Sequence, residues 1–324
     1  MTSMIFMVLA AGAASALMFA SITSGELFSL LLCYLAPLPL MVAAMGWGPT
    51  TAALSGVAAG CGLAAVFGPA YGLAFAITVA LPAWWLGHLA LLGRPIAVQP
   101  DGAHASRPAA PEFEWYPVGR ILLWTSGFAA LTTIAALLTL GTDAGAITGV
   151  LRRGLLRIFQ PPGAPLAEET ERWIEALVML APAAGAAVAE LTLTLNLWLA
   201  AKITATSGRL HRPWPDLRTT TLPPMTLAVL CVAIAFCFTG GLAALMAETV
   251  TSALLMAYAL AGFAVLHTLT QSLRSRALWL GVTYAVVMVF TWPIMAMIAL
   301  GLADAMFGLR ERYLRKRPPP LPAS

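Results

Sequence analysis

Apolar runs of about 20 residues recur through nearly the whole of this 324-residue chain. A helix needs about 20 consecutive apolar residues to cross the hydrocarbon core of a bilayer. Hydrophobic residues make up 60% of the chain and charged residues only 10%, whereas soluble proteins average about 25% charged. A soluble core does not account for so many long apolar runs. The sequence therefore predicts an all-α, polytopic transmembrane bundle surrounded by the lipid bilayer.

Ten spans are predicted, with both termini on the cytoplasmic side. The spans are Met4–Ala20, Phe28–Met45, Thr51–Phe67, Tyr71–Leu92, Ile121–Leu140, Trp173–Ala201, Leu222–Phe238, Ala247–Leu269, Ala277–Phe290 and Pro293–Phe307. The last two form a short hairpin, because Trp292-Pro293 interrupts one long apolar run at its middle. The first residues, MTSMIFMVLA, lack a basic n-region, so we expect a first span there and not a cleaved signal peptide.

Basic residues determine the predicted orientation. Four of the 18 Lys and Arg residues lie in loop 141–172, and the other 14 lie on the opposite side of the predicted membrane. Loops rich in Lys and Arg collect on the cytoplasmic side of a membrane. The alternative of nine spans, with 277–307 as one span, places the basic tail outside and agrees less well with this rule.

The chain is interpreted as a single membrane domain, 1–324, with consecutive parts. These are a four-span amino-terminal bundle (4–92), a proline-rich cytoplasmic linker (93–120), spans five and six (121–201), the carboxy-terminal spans (222–307) and a basic cytoplasmic tail (308–324). Between spans five and six, residues 146–160 place apolar side chains on one helical face and arginines on the other. This pattern predicts an outer amphipathic helix that lies on the membrane surface or caps the bundle.

The stretch Tyr34–Pro69 is apolar but is interrupted by four prolines and several glycines. Proline inside a helix removes a backbone hydrogen bond and kinks the chain. At membrane depth, such broken backbone persists only where protein packs around it or where it lines a cavity. We therefore predict that this stretch forms the inner wall of the bundle and that neighbouring spans satisfy its backbone.

Polar side chains at membrane depth are the candidates for chemistry. Glu190 lies deep in span six, and Asn196 follows six residues later. A charge at that depth costs about 2.5–3.5 kcal/mol on insertion scales, so Glu190 is expected to face the interior. It either binds a substrate or proton or locks helices together. His267 in span eight is expected to be a satisfied core residue more often than a ligand, and Asp304 is expected to cap a helix or pair with Arg310.

The motifs of several enzyme classes are absent from the sequence. The chain contains no GxxxxGK[ST], HExxH or GxSxG pattern and no closely paired cysteines. We therefore expect no enzyme activity, no cofactor and no metal site. The basic residues do not form a patch interleaved with aromatic residues, so no nucleic-acid partner is expected.

Four segments carry a family resemblance: LAPLPLMVAAMGWGP, ALPAWWLGHLALLGRP, EWYPVGRILLW and LGLADAMFGLRER. The more specific parts are Glu114–Arg120 and Gly301–Arg310. Through them the chain resembles the YybS-like family of bacterial polytopic inner-membrane proteins. The resemblance implies a fold distantly similar to the substrate-binding S-components of energy-coupling-factor vitamin transporters. It also implies that small residues of the first helix dock against a transmembrane partner; these are Ala10, Gly12, Ala14 and Ala16.

Two functions from different classes are compatible with the sequence. The first, which the sequence favours, is a substrate-binding or transporter-like subunit for a small organic solute, with a pocket built from residues 4–92 and span six. The candidate contacts of that solute are Glu190, Asn196, Trp47, Trp84, Tyr34 and His267. The second is a non-transporting membrane scaffold or assembly factor that binds another membrane protein.

Overall fold

A computed structural model describes residues 2–96, 112–160, 167–290 and 292–315. In these ranges the chain forms fourteen α-helices and two β-strands. They are α1 (Thr2–Ala20), α2 (Leu27–Tyr34), α3 (Pro37–Trp47), α4 (Pro49–Phe67), α5 (Pro69–Phe75), α6 (Leu81–Leu91), β1 (Gly93–Ile96), β2 (Glu112–Trp115), α7 (Val118–Leu140), α8 (Ala144–Phe159), α9 (Glu168–Thr206), α10 (Met225–Cys237), α11 (Gly241–Leu269), α12 (Arg276–Phe290), α13 (Ile294–Phe307) and α14 (Leu309–Arg315). A π-helical turn, Ala76–Ala80, joins α5 to α6. Most of the predicted linker (97–111) and the end of the predicted tail (316–324) lie outside the described residues.

The apolar helices stand where the sequence predicts spans. In the described part of the chain, seven helical segments are long and apolar enough to cross a membrane, and three further apolar helices are shorter. The shorter ones are Met225–Cys237, Arg276–Phe290 and Ile294–Phe307. The prediction of an all-α membrane bundle is therefore confirmed. The number of helices that cross the membrane and the side of each terminus remain predictions.

Several helix boundaries differ from the predicted spans for local reasons. The second predicted span is two helices, α2 and α3, separated at Leu35 and Ala36. The seventh begins at Met225, because Pro223 and Pro224 each disfavour helical conformation at the residue before them, which is Leu222 or Pro223. The sixth is the 39-residue helix α9, about 58 Å long at 1.5 Å per residue and longer than a bilayer core is thick.

The chain folds as two compact units, each with its own packed interior. The first unit comprises Met1–Thr125 and Thr192–Pro215, and the second comprises Ser126–Leu191 and Asp216–Ser324. In the first unit α1 packs against α3 and α4, and α3 packs against α6. The side chains of Leu40, Met41, Phe75 and Leu86 are fully buried there. Gly12 permits the close approach of α1 to α4, because a Cβ at this position would lie 2.8 Å from the carbonyl oxygen of Ser55.

Helix α11 is the centre of the second unit and packs along α10 and α13. Gly262 of α11 faces Gly301 of α13, and a Cβ on either glycine would overlap the facing helix backbone. Two helices can approach each other this closely only where neither has a Cβ atom at the contact. The approach therefore depends on these two glycines.

Helix α8 caps the second unit. Its amino terminus is fixed by Asp143, whose Oδ1 accepts a hydrogen bond from the Ala146 N–H at 2.9 Å. Its fully buried residue, Ile147, packs with Leu137 of α7 and Leu245 of α11. The predicted amphipathic helix is therefore present, and it packs as a cap on the ends of two long helices. Ile158, which the sequence pattern places on the apolar face, is 75% exposed.

Candidate functional site

The break between α2 and α3 is closed by side chains from other helices of the first unit. The Leu38 N–H bonds to the Leu35 carbonyl, not to the Tyr34 carbonyl that a continuous helix would use. The Asn196 side chain instead donates from Nδ2 to the Tyr34 oxygen at 2.8 Å. One residue beyond Leu35, the Ser15 hydroxyl donates to the Ala36 carbonyl at 2.7 Å. The prediction that neighbouring spans satisfy this broken backbone is confirmed.

The side chain of Asn196 therefore has a structural role, since it bonds to backbone carbonyls. It is 1% exposed, and its Nδ2 also donates to the Thr192 carbonyl at 2.9 Å. An amide nitrogen has two donor hydrogens, and both have backbone acceptors here. Its Oδ1 is buried and has no hydrogen-bond partner among the described residues. No donor of Asn196 remains for the polar group of a solute.

The other predicted contact residues are distributed over both units. Tyr34, Trp47 and Trp84 belong to the first unit, as Asn196 does, whereas Glu190 and His267 belong to the second. Glu190 is fully buried and lines none of the three clefts described below.

Both ring nitrogens of His267 have neighbouring partners, which agrees with the prediction of a satisfied core residue. Its Nε2 lies 2.8 Å from the Tyr284 hydroxyl, and its Nδ1 lies 3.5 Å from Nη2 of Arg276. The ring of Tyr284 stacks on Phe263, with 5.2 Å between the ring centroids. This cluster fastens α12 to α11.

Asp304 and Arg310 form a buried ion pair, which confirms the predicted pairing. Both side chains are 7% exposed, and Nη2 of Arg310 lies 2.6 Å from Oδ2 of Asp304. The other arm of the guanidinium, Nη1, donates to the carbonyls of Arg218 and Thr220, each at 2.8 Å. The sequence does not predict these last two contacts, because they join segments about 90 residues apart.

An open apolar groove crosses the first unit between α4 and the α5–α6 segment. Its volume is about 510 Å³. We call it the apolar groove, and it is lined by Ala52, Ala53, Gly56, Val57, Gly60, Cys61, Ala64, Gly72, Leu73, Ala76, Ala80, Leu81 and Trp84. Trp84 is the predicted contact residue that lines it. Trp47 instead lies beneath the Arg209 guanidinium, 4.4 Å from the ring centroid.

The small residues predicted for docking on α1 point in several directions. Gly12 is buried against α4, whereas Ala10 is exposed and Ala14 and Ala16 are half-buried. Residues four apart share a helix face, so Ala10 and Ala14 lie together and Gly12 lies opposite them. A docking role for these residues remains a prediction.

The ends of the predicted linker form a β-hairpin, which the sequence did not predict. Strands β1 and β2 pair antiparallel, with Gly93 opposite Trp115. The Trp115 ring packs over Gly93, where an added Cβ would lie 3.1 Å from it. Arg94 pairs with Glu114 at 2.7 Å. The sequence predicts a linker here, because the residue pattern typical of a hairpin turn is not visible in this proline-rich stretch.

A polar cleft of about 490 Å³ opens beside this hairpin. We call it the hairpin cleft, and it is lined by Leu92, Gly93, Arg94, Glu114, Trp115, Tyr116, Pro117 and Arg120. Arg212 fixes its floor by donating to the carbonyls of Ala90, at 3.1 Å, and Tyr116, at 3.0 Å. Burial lowers the pKa of the Arg212 guanidinium.

A third cleft, in the second unit, lies between α8 and the amino-terminal part of α9. It is lined by Gly145, Thr148, Gly149, Arg152, Glu175, Val178 and Met179. Arg152 is already paired with Glu171 at 2.5 Å. In the described part of the chain, no three His, Cys, Asp or Glu side chains come together as metal ligands would.

Comparison with known proteins relates the carboxy-terminal half to a membrane family. A family model described as "Predicted membrane protein (DUF2232)" matches residues 159–305. No curated protein and no solved structure matches the chain. The matched region contains all of α9 to α12 and most of α13. Together with the seven long apolar helices, this similarity supports a multi-pass membrane protein.

Proposed function

We propose that this protein is a non-enzymatic membrane scaffold that binds a transmembrane helix of another membrane protein in the apolar groove. The observation that carries the proposal is the lining of the groove, which holds no charged side chain and consists mainly of glycine and alanine. Within lipid, helices associate through close packing, and small side chains permit it.

The two walls of the groove have the spacing that suits a helix. On α4, the lining residues Ala53, Val57, Cys61 and Ala64 recur every three or four positions and therefore share one face. On the opposite wall, Leu73, Ala76, Ala80 and Trp84 have the same spacing. These two stripes of small and apolar side chains, one on each wall, form a surface on which a third helix could pack.

The π-helical turn Ala76–Ala80 forms part of the second wall. Such turns are rare and occur frequently at functional sites. Here the turn lies directly beside the small residues of α4, because a Cβ on Gly56 would lie 2.9 Å from the Cβ of Ala80.

A native cysteine provides the test. Cys61 lines the groove and is exposed, and Cys231 on α10 is also exposed. Each would be kept alone, with the other cysteines replaced by alanine, and labelled in native membranes with a photo-crosslinking maleimide. We expect a discrete protein adduct at Cys61 and none at the Cys231 control.

A large side chain in the groove distinguishes a helix bound there from a protein that contacts Cys61 by chance. Ala53→Phe would occupy the groove and should abolish the Cys61 adduct. Ala58→Phe is the matched control, because Ala58 is exposed on the same helix and does not line the groove. Lipid adducts alone, or a protein adduct that survives Ala53→Phe, would contradict the proposal.

A substrate-binding or transporter-like subunit is the second candidate, and the buried Glu190 favours it. A carboxyl group that is 0% exposed at membrane depth is typical of substrate and ion pathways. Such a subunit would resemble the substrate-binding S-components in function, and a small organic solute would co-purify with the protein. Glu190→Ala should then release it, and unchanged solute content would exclude Glu190 from the site.

The topology that we propose has ten spans in the bacterial inner membrane, with both termini cytoplasmic. The 14 basic residues on one side support it. Cysteine labelling from each side, at introduced positions in loop 141–172 and in the tail, tests the orientation.

A further inference from the structure

We propose that the hairpin cleft binds the phosphate group of an anionic phospholipid, with Arg120 and Arg94 as its contacts. This inference is independent of the apolar groove. It begins with the position of the cleft, which lies where α6 ends and α7 begins. Both helices belong to candidate membrane spans, so their adjoining ends lie at headgroup level.

Arg120 is the central observation. Its side chain is exposed, lines the cleft, and forms no hydrogen bond or ion pair with another residue in the described ranges. It is the third residue of α7, where the helix dipole disfavours a cation and favours an anion. An anion bound there would contact both the guanidinium and the positive end of the helix.

The remaining charges of the cleft also favour an anion. Arg94 is paired with Glu114, but the two side chains are 80% and 59% exposed. An exposed pair of this kind contributes little to stability, so Arg94 is able to exchange partners. Arg212 adds a third positive charge below the cleft, since it is held by backbone carbonyls and not by a carboxylate.

Aromatic residues complete a headgroup site. Trp115 and Tyr116 line the cleft and are half-buried, and such side chains are enriched at the membrane interface. The Trp115 ring lies 5.9 Å from the Arg212 guanidinium, and the Tyr116 N–H bonds to the Leu92 carbonyl at 2.8 Å. The cleft is therefore held in shape before any ligand arrives.

The test is native mass spectrometry of the full-length protein, delipidated in detergent and titrated with phosphatidylglycerol or phosphatidylcholine. We expect preferential binding of phosphatidylglycerol. One surface cation contributes about fivefold in affinity for anionic lipid, so Arg120→Gln should weaken binding by about that factor. Arg120→Lys should retain most of it. Arg153→Gln is the matched control, since Arg153 is an exposed arginine of α8 with no ion pair among the described residues.

A second variant, which should bind the lipid more tightly, excludes misfolding as the cause of the changes in affinity. Glu114→Gln removes the anion that competes for Arg94, so this variant should bind phosphatidylglycerol more tightly than the wild type. Equal binding of both lipids, or equal weakening by Arg120→Gln and Arg153→Gln, would overturn the proposal. Displacement of the lipid by millimolar glycerol phosphate or inorganic phosphate would overturn the lipid assignment and identify a soluble phosphate as the ligand.

Discussion

The buried pair of Asp304 and Arg310 gives the most direct test of what holds the second unit together. The Arg310 backbone N–H donates to Oδ1 of Asp304 at 2.9 Å, and its Nε and Nη2 donate to Oδ2 at 2.8 and 2.6 Å. Its Nη1 bonds two further carbonyls, those of Arg218 and Thr220. Asp304→Asn keeps the size of the side chain but leaves the guanidinium without its counter-charge.

Removing one partner of a buried ion pair costs about 3–5 kcal/mol, because an uncompensated charge stays in the interior. For a unit of this size, that loss corresponds to a melting temperature lower by roughly 10 °C. We would measure thermal unfolding of the purified protein in detergent, together with hydrogen exchange in 216–220, which Arg310 fastens. Exchange there should accelerate in the variant.

Two comparisons make this prediction refutable. Glu311→Ala breaks the pair of Glu311 with Arg315, whose side chains are 78% and 83% exposed, so its melting temperature should barely change. The double variant Asp304→Leu/Arg310→Met should lose less than the sum of the single losses, because no charge stays unpaired. Equal melting of Asp304→Asn and Glu311→Ala, or strictly additive losses, would refute the reasoning.

Three further predictions concern other contacts. Gly262→Ala should separate α11 from α13 and sharply lower the melting temperature. Gly281→Ala should not, because a Cβ at this position has no atom within 4 Å; melting curves of the two variants, compared with the wild type, test this prediction. Asn196→Leu should destabilise the first unit by about 1–3 kcal/mol, because it leaves carbonyls without donors; a variant as stable as wild type would contradict this. Hydrogen bonds from Arg218 lower the pKa of Asp216, so this carboxylate stabilises the fold above about pH 4 and loses that effect as the pH falls further. Asp216→Asn should therefore approach wild-type stability only in acid, as melting curves across pH would show.

The sequence predicted the helices well, because the length and polarity of each apolar run are local properties. The positions of α2 to α6 follow from prolines and glycines that interrupt the runs, and Trp292-Pro293 separates α12 from α13. The predicted break in Tyr34–Pro69 appears between Tyr34 and Pro37. These features need no knowledge of what lies on the neighbouring helix.

The candidate site was predicted less well, because it depends on contacts that sequence spacing does not encode. Asn196 bonds to a carbonyl 162 positions away, and no local pattern identifies that partner. Glu190 and Asn196 are six residues apart on α9, which at 100° per residue places them on different faces. The hairpin was missed because its two strands are short, exposed and set in a proline-rich stretch.

Four polar residues of this apolar chain have the same role, and that role indicates where a binding site is better sought. Ser15, Asn196, Arg212 and Ser252 all donate to main-chain carbonyls of other segments. In lipid an unsatisfied backbone group costs several kcal/mol, so a rare polar side chain contributes most where a helix is broken or ends. A buried asparagine close to a proline-interrupted span then indicates backbone repair more strongly than ligand binding. Binding sites are better sought where guanidinium groups lack such carbonyls, as at Arg120, or where the walls contain only small side chains, as in the apolar groove.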